Sequence, residues 1–208
     1  MKNRTFEKIT AVLIIVTCIA GLLFAMGLPD SPSPAGLQMY SVLLTILVLV
    51  YYIFELIRLR HGDPGFLYPD VRACLMIAEW NMALVNLVLL GPWHAGLNAN
   101  YRAAAFALMT VVPAEMVLDW AAGRKKTFYA NYVLKSYLLF VPYTAFALIM
   151  GYTGNGFGLN SADYPYPFMN ASQLGWLIVL MNLLLIAVLT CITGLLFVAA
   201  DRAAGGRK

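Results

Sequence analysis

Six long apolar blocks constrain the fold of this chain more than any other feature. They cover residues 9–28, 37–57, 73–92, 103–122, 132–152 and 174–200. About 20 residues of α-helix span roughly 30 Å of hydrocarbon, so each block is long enough to cross a bilayer. Only 12% of the 208 residues are charged, about half the usual share in soluble domains. The sequence therefore predicts an all-α bundle of six transmembrane helices, with residues 1–208 forming one membrane domain.

The basic residues predict how this bundle is oriented. All but one of the 14 lysines and arginines fall at the start of the chain, in the 2–3 and 4–5 links or at its end, and Arg102 is the exception. Cytoplasmic segments of membrane proteins carry such an excess. We therefore expect a multi-pass protein of the bacterial cytoplasmic membrane with both termini inside. The net charge of +4 follows from this topology, and no nucleic-acid partner is expected.

The first block has a second interpretation as a signal peptide, because Ala25-Met26-Gly27 offers a small-x-small cleavage site. Its apolar run exceeds the roughly 7–15 residues usual for such a segment. We therefore interpret it as a retained helix. The three cysteines, Cys18, Cys74 and Cys191, lie inside apolar blocks without metal-ligand spacing, so neither a metal nor a cofactor is expected.

Several polar residues lie inside the apolar blocks, where each is costly unless it is paired or functional. Glu79 and Glu115 lie six and seven residues from the cytoplasmic ends of blocks three and four, at nearly one depth, and Asp119 shares the face of Glu115. One interpretation is an ion-pair network with Arg58 and Arg72 that fixes helix packing. The other is a pocket, open to the cytoplasm, for a head group, a cation or a proton. Its predicted lining is Glu79, Asn86, Glu115, Asp119 and Lys135.

The last external link, between about Gly154 and Gln173, contains the run Tyr164-Pro165-Tyr166-Pro167-Phe168. Each proline holds the residue before it extended. Tyrosine and phenylalanine are typical of the headgroup level of a bilayer. We therefore predict a structural lid with an aromatic belt, and a substrate site is the alternative.

The second half of the chain carries a series of short elements in a fixed order: Val112-Pro113, Asp119-Trp120, Pro142-Tyr143, Gly151, the Tyr-Pro run, Asn182 and Asp201-Arg202. With the segments before it, from about Tyr40 to Arg202, this series resembles a family of prokaryotic six-helix membrane proteins. That family is distantly similar to eukaryotic androgen-induced membrane proteins, which hydrolyse fatty-acid esters of hydroxy fatty acids.

The resemblance implies a catalytic threonine on helix two and a histidine four or five residues before the helix-four proline. The histidine positions are Leu108 and Met109 here, and neither side chain accepts a proton. The candidate nucleophiles are Ser41, Thr45 and Thr110. Without a positioned base a hydroxyl is a weak nucleophile. We expect these three hydroxyls to bond to the carbonyl four residues earlier in their own helices.

Three functions remain open at this point. The first is a binding or structural role in the membrane, with lipids as partners and a homo-oligomer possible, and without an assigned reaction. The second is an intramembrane lipid-ester hydrolase. The third is a proton- or cation-coupled transporter of small solutes, against which stand the lack of a visible internal repeat and of a glycine-broken helix.

Overall fold

The protein is described by a computed structural model covering residues 4–28, 34–61, 67–91, 96–122, 128–155, 158 and 162–205. Over these residues the predicted fold class is confirmed, because six helices are long and apolar enough to cross a membrane. Their bounds are α1 Arg4–Ala25, α2 Tyr40–His61, α3 Pro69–Leu90, α4 Ala99–Ala122, α5 Ala130–Tyr152 and α6 Trp176–Gly205. The protein is thus a multi-pass membrane protein.

The helix ends differ from the predicted blocks by up to five residues, and most helices extend beyond their apolar block. The second helix continues through Arg58 and Arg60 to His61, and the third begins at Pro69, which suits a first helical position. Hydropathy marks the hydrocarbon layer, whereas backbone hydrogen bonding continues into the interface. Because these helices are longer than the apolar blocks, residues inside them lie farther from the helix ends than the sequence predicts.

The start of α1 lies at one end of the bundle together with the end of α2, the start of α3, the end of α4 and the start of α5, and we call this end the basic end. The loop end is the opposite one, which carries residues 162–175. Six of the residues behind the predicted charge bias, together with His94, lie outside the described residues: Lys2, Arg124, Lys125, Lys126, Arg207 and Lys208.

Helix α3 is the centre of the bundle. It packs against α2, α4, α5 and α6, and 56% of its most apolar stretch is buried, against 22% for α6. Helix α1 packs between α2 and α4. A polar residue on the inner face of α3 is therefore screened from lipid on every side.

Two helices contain a π-helical segment near the loop end, at Asn86–Leu90 in α3 and Ala107–Val111 in α4. The second segment precedes Pro113, which has no N–H to donate to the carbonyl four residues earlier, and a π turn accommodates that missing bond. In α5 a turn at Ser136 separates Ala130–Lys135 from Tyr137–Tyr152, and Pro142 lies inside the second part. Such π turns are frequent at functional sites.

Candidate functional site

Asp119 is the centre of a polar contact group near the basic end. Its Oδ2 accepts from Arg72 Nη2 at 2.6 Å, from Arg72 Nε at 3.1 Å and from the Tyr52 hydroxyl at 2.8 Å. Its Oδ1 accepts from Thr10 Oγ1 at 3.0 Å. Asp119 and Arg72 are only 5% and 3% exposed, so a buried ion pair with several hydrogen bonds joins the first four helices. This matches the packing-network interpretation for one of the predicted pocket residues.

Glu79 lies in the middle of α3 and belongs to a different group. It is ten residues, or about 15 Å, from Pro69 and eleven from Leu90. Its side chain is fully buried, and the Thr45 hydroxyl donates to its Oε1 over a long 3.5 Å. The predicted common depth with Glu115 is therefore corrected. Helix α3 begins four residues before the predicted block, which places Glu79 about 5 Å deeper than Glu115.

Glu115 is half-buried and contacts α1. Thr17 Oγ1 donates to its Oε1 at 3.0 Å. Because Thr10 and Thr17 are seven residues apart, they share a face of α1, and they contact Asp119 and Glu115, which are four residues apart on one face of α4. Neither threonine is among the residues predicted from the sequence, although two hydroxyls one heptad apart in an apolar block were a visible signal.

Asn86 connects the two π segments. Its amide Nδ2 donates to Thr110 Oγ1 at 3.3 Å, four residues from the loop end of α3. It does not contact the carboxylate of Glu79. The bond instead ties the widened turn of α3 to that of α4, which is the helix-joining role often filled by amides in membranes.

Lys135 pairs with Asp70 at the basic end, at a distance of 3.7 Å, and both side chains are well exposed. Arg58 binds Glu55 within α2, and the backbone N–H of Leu67 donates to the same carboxylate at 2.9 Å. The predicted pocket is thus distributed over separate contact groups. Asp119 and Lys135 belong to ion pairs, whereas Glu79, Glu115 and Asn86 contact hydroxyls.

The loop before α6 enters the bundle rather than lying at headgroup level. Tyr164, Tyr166 and Phe168 are 4%, 2% and 7% exposed. The backbone N–H of Ser41 donates to the Tyr166 hydroxyl at 3.2 Å, and that hydroxyl donates to Ser41 Oγ at 3.5 Å. Burial raises the pKa of Tyr166 to about 12, so its hydroxyl keeps its proton. The residues of the predicted aromatic belt are therefore buried inside the bundle, because the loop contacts three helices.

Those other partners are on α5 and α6. A Cβ on Gly151 would lie 2.3 Å from the Tyr164 ring, so the ring can pack there only because residue 151 is glycine. Asn182 Nδ2 donates to the Phe168 carbonyl at 3.1 Å. The ring of Phe168 stacks on that of Tyr166 at 5.3 Å between centroids. Residues 164–168 are thus fixed to α2, α5 and α6.

A half-open cavity lies near the loop end between α1, α2 and α4. Its enclosed volume is about 30 Å³, and about 350 Å³ when the open space at its mouth is included. Its polar lining residues are Ser41 and Tyr101. Leu108 and Met109 line the same cavity. The full lining is Ala25, Gly36, Met39, Ser41, Val42, Leu97, Tyr101, Ala104, Ala105, Leu108 and Met109. Small and apolar side chains with few polar groups are typical of sites for apolar ligands.

The three candidate hydroxyls bond to side chains from other elements. Ser41 accepts from Tyr166, Thr45 donates to Glu79, and Thr110 accepts from Asn86. In the part of the chain that the structure describes, none of them bonds to the carbonyl four residues earlier. The prediction that each hydroxyl bonds to a carbonyl of its own helix is therefore wrong for all three.

Tyr52 and Asp201 are further residues that the sequence analysis did not single out for contacts. Trp120 Nε1 donates to Asp201 Oδ1, and the Phe128 N–H donates to its Oδ2, both at 3.1 Å. Asp201 thereby fastens the basic end of α6 to α4. No hydropathy signal distinguishes it from a solvated helix-terminal acid.

Comparison with known proteins leaves the geometry as the basis for assigning a function. No protein-family model, no curated protein and no solved structure matches this chain.

Proposed function

We propose that this membrane protein binds an apolar chain, such as an acyl chain of a lipid, in the cavity near the loop end. One observation carries the proposal. The cavity lining combines the hydroxyl-bearing Ser41 and Tyr101 with apolar side chains such as Leu108 and Met109. An amphiphile has this same distribution of polarity.

The surroundings of Ser41 support this proposal. Ser41 is 5% exposed, and its hydroxyl is held by Tyr166 from the buried loop. An acyl chain against Ala104, Ala105 and Leu108 would bury apolar area, while its polar end could bond to Ser41 or Tyr101. An apolar chain is available from the surrounding bilayer through the side of the bundle. Lipid binding therefore requires no group beyond the cavity lining.

The test is photocrosslinking with a fatty acid that carries a diazirine on its alkyl chain. In the purified protein we expect adducts on the α4 peptide that contains Leu108 and Met109. Ala105→Phe places a ring where the alkyl chain would lie, so labelling should fall about tenfold or more, which corresponds to a loss of about 1.4 kcal/mol or more in binding free energy. Ala145→Phe adds the same ring to an exposed position of α5 and should leave labelling unchanged.

Two other labelling results would contradict binding in the cavity. Adducts spread over lipid-facing residues, with no difference between the two variants, would contradict a cavity site. Loss of labelling in both variants, with intact unfolding profiles, would place the ligand on the outer surface instead.

Ester hydrolysis is a second candidate, favoured by the contact between the Thr45 hydroxyl and the Glu79 carboxyl, which would supply a nucleophile and a base if Glu79 lost its proton. Thr45 is fully buried and is not part of the cavity lining, which stands against it. The purified protein used for crosslinking should therefore be inert to fluorophosphonate probes. Labelling that disappears in Thr45→Ala or Ser41→Ala would make hydrolysis the leading function.

We further propose that the basic end faces the cytoplasm of a bacterial cell. The excess of lysine and arginine at that end supports this orientation. Reporter fusions after Gly123 and after Lys208 should read cytoplasmic, and one after Asn160 should read external. An external carboxyl terminus would contradict the topology, and an even signal from all three fusions would contradict a single orientation.

A further inference from the structure

Glu79 is an ionisable group in mid-membrane that lacks a counter-charge. Within the described ranges no lysine, arginine or histidine pairs with it, although three other carboxylates there have basic partners. Its Oε1 accepts from Thr45, but no described group bonds to its Oε2. An isolated carboxylate is very costly in such surroundings, so the acid is held there in its neutral form. Its O–H then has no fixed acceptor.

The titratable groups around Glu79 are uncharged, so the charge that can move at this site is the carboxyl proton. The titratable side chains that interact with it electrostatically are Cys18 of α1, Tyr40 of α2 and Tyr166 of the loop. All three are neutral at ordinary pH. The nearest buried cation on its own helix is Arg72, seven residues away, and Asp119 binds it. None of these four side chains supplies a free positive charge that would keep the carboxyl group of Glu79 ionised.

A line of hydroxyls connects Glu79 to the loop end. The Tyr166 hydroxyl contacts Ser41, and Ser41 and Thr45 are one turn apart on α2 and share a face. Thr45 then contacts Glu79. Towards the basic end, the same face of α2 continues with Val48, which is fully buried and apolar. The line of contacts therefore runs from Glu79 towards the loop end, where its last member, Tyr166, is 2% exposed.

We infer that Glu79 is an intramembrane proton-binding site that exchanges its proton with the loop end through Thr45, Ser41 and Tyr166. The ligand is a proton, and water molecules between the hydroxyls complete the route. This inference does not depend on lipid binding, because the cavity lining does not include Glu79.

The first measurement uses dicyclohexylcarbodiimide, which partitions into apolar regions and reacts with protonated carboxyl groups. The acid O–H adds across one C=N bond. The carboxyl oxygen bonds to the central carbon, the proton moves to nitrogen, and the adduct retains every atom of both reactants. At pH 7 a solvated glutamate, with a pKa of about 4.3, is ionised and reacts poorly. We expect peptide mapping by mass spectrometry to find the adduct on Glu79.

Asp119 is the internal control for this reaction. It is also buried, at 5% exposed, but it pairs with Arg72 and should remain unlabelled. Glu79→Gln, which keeps the shape of the side chain, should lose its adduct. If Glu79 stays unlabelled in the folded wild-type protein, or labels no faster than Asp119, the proton site is disproved.

The second measurement tests the route. The infrared carbonyl band of a protonated carboxylic acid shifts when its proton is replaced by deuterium, and the band of Glu79 should be absent in Glu79→Gln. After transfer to D₂O, Tyr166→Phe should slow that shift several-fold. Tyr143→Phe removes another buried hydroxyl near the loop end, one that donates to the Gln38 carbonyl, and should not slow it. Equal rates in the two variants would overturn the route.

Discussion

Arg72→Met is expected to lower the free energy of unfolding by about 3–5 kcal/mol. The substitution removes the cation and leaves Asp119, which is 5% exposed, with an uncompensated charge among four helices. Tyr52 and Thr10 would still donate to it, but neither supplies a positive charge. Chemical or thermal unfolding in a fixed detergent measures the effect.

Two variants serve as controls for Arg72→Met. The double variant Arg72→Met, Asp119→Leu removes both charges and should recover much of the loss, because replacing a whole buried pair with apolar side chains is often nearly neutral. Lys135→Met breaks the exposed pair with Asp70 and should cost about 0–1 kcal/mol. A cost for Arg72→Met as small as that for Lys135→Met would show that water reaches Asp119.

Gly151→Ala is expected to destabilise the protein by about 1–3 kcal/mol and to release the buried loop. The new methyl carbon would lie 2.3–2.6 Å from three ring atoms of Tyr164, so the ring has to move. Tyr166 follows the same loop, and its contact with Ser41 should weaken with it. Chymotrypsin cleavage between Phe168 and Met169 of the same loop should become faster, and the unfolding temperature should fall.

Gly91→Ala provides a control at an open position. Nothing lies within 4 Å of a Cβ at Gly91, which ends α3 in a right-handed helical conformation. Alanine has a better helix propensity than glycine by up to about 1 kcal/mol, but a Cβ directly before Pro92 disfavours this conformation, so the two effects oppose each other and the net change should be small. If Gly91→Ala costs as much stability as Gly151→Ala and leaves the loop equally open to protease, the packing of Tyr164 on Gly151 does not hold the loop.

The helices could be predicted from the sequence because the mean hydropathy of 20 residues reports on the free energy of transferring them from water into a membrane. Their ends could not be predicted to the residue. Arg58 and Asp70 are charged, and a hydropathy boundary excludes them, yet both continue a helix whose backbone hydrogen bonds do not depend on side-chain polarity. Such errors of a few residues do not change the fold. They do change the position of Glu79, which lies in the middle of α3 and not in the cytoplasmic half of its helix as predicted.

The contacts of the polar residues were harder to predict, because they depend on how helix ends are staggered. Counting residues from each end separates Thr45 from Glu79, since Thr45 is five residues from the loop end of α2 and Glu79 is eleven from that of α3. In the structure the two helices are offset, and the side chains meet. Likewise, the aromatic composition of residues 164–168 is typical of an interface, and only the tertiary contacts with Ser41 and Gly151 show that the loop is buried.

The buried loop also sets an order of events during synthesis. Tyr166 and Ser41 are 125 residues apart in the chain, so α2 crosses the membrane well before its partner has been translated. Until the fifth helix and the following loop leave the ribosome, the backbone N–H of Ser41 lacks Tyr166 as its acceptor. Helices α1 to α4 can associate before that moment, but their loop end stays open. Packing of the loop onto α2 is therefore one of the last steps of assembly, and a chain that stops after α5 would leave Ser41 without Tyr166.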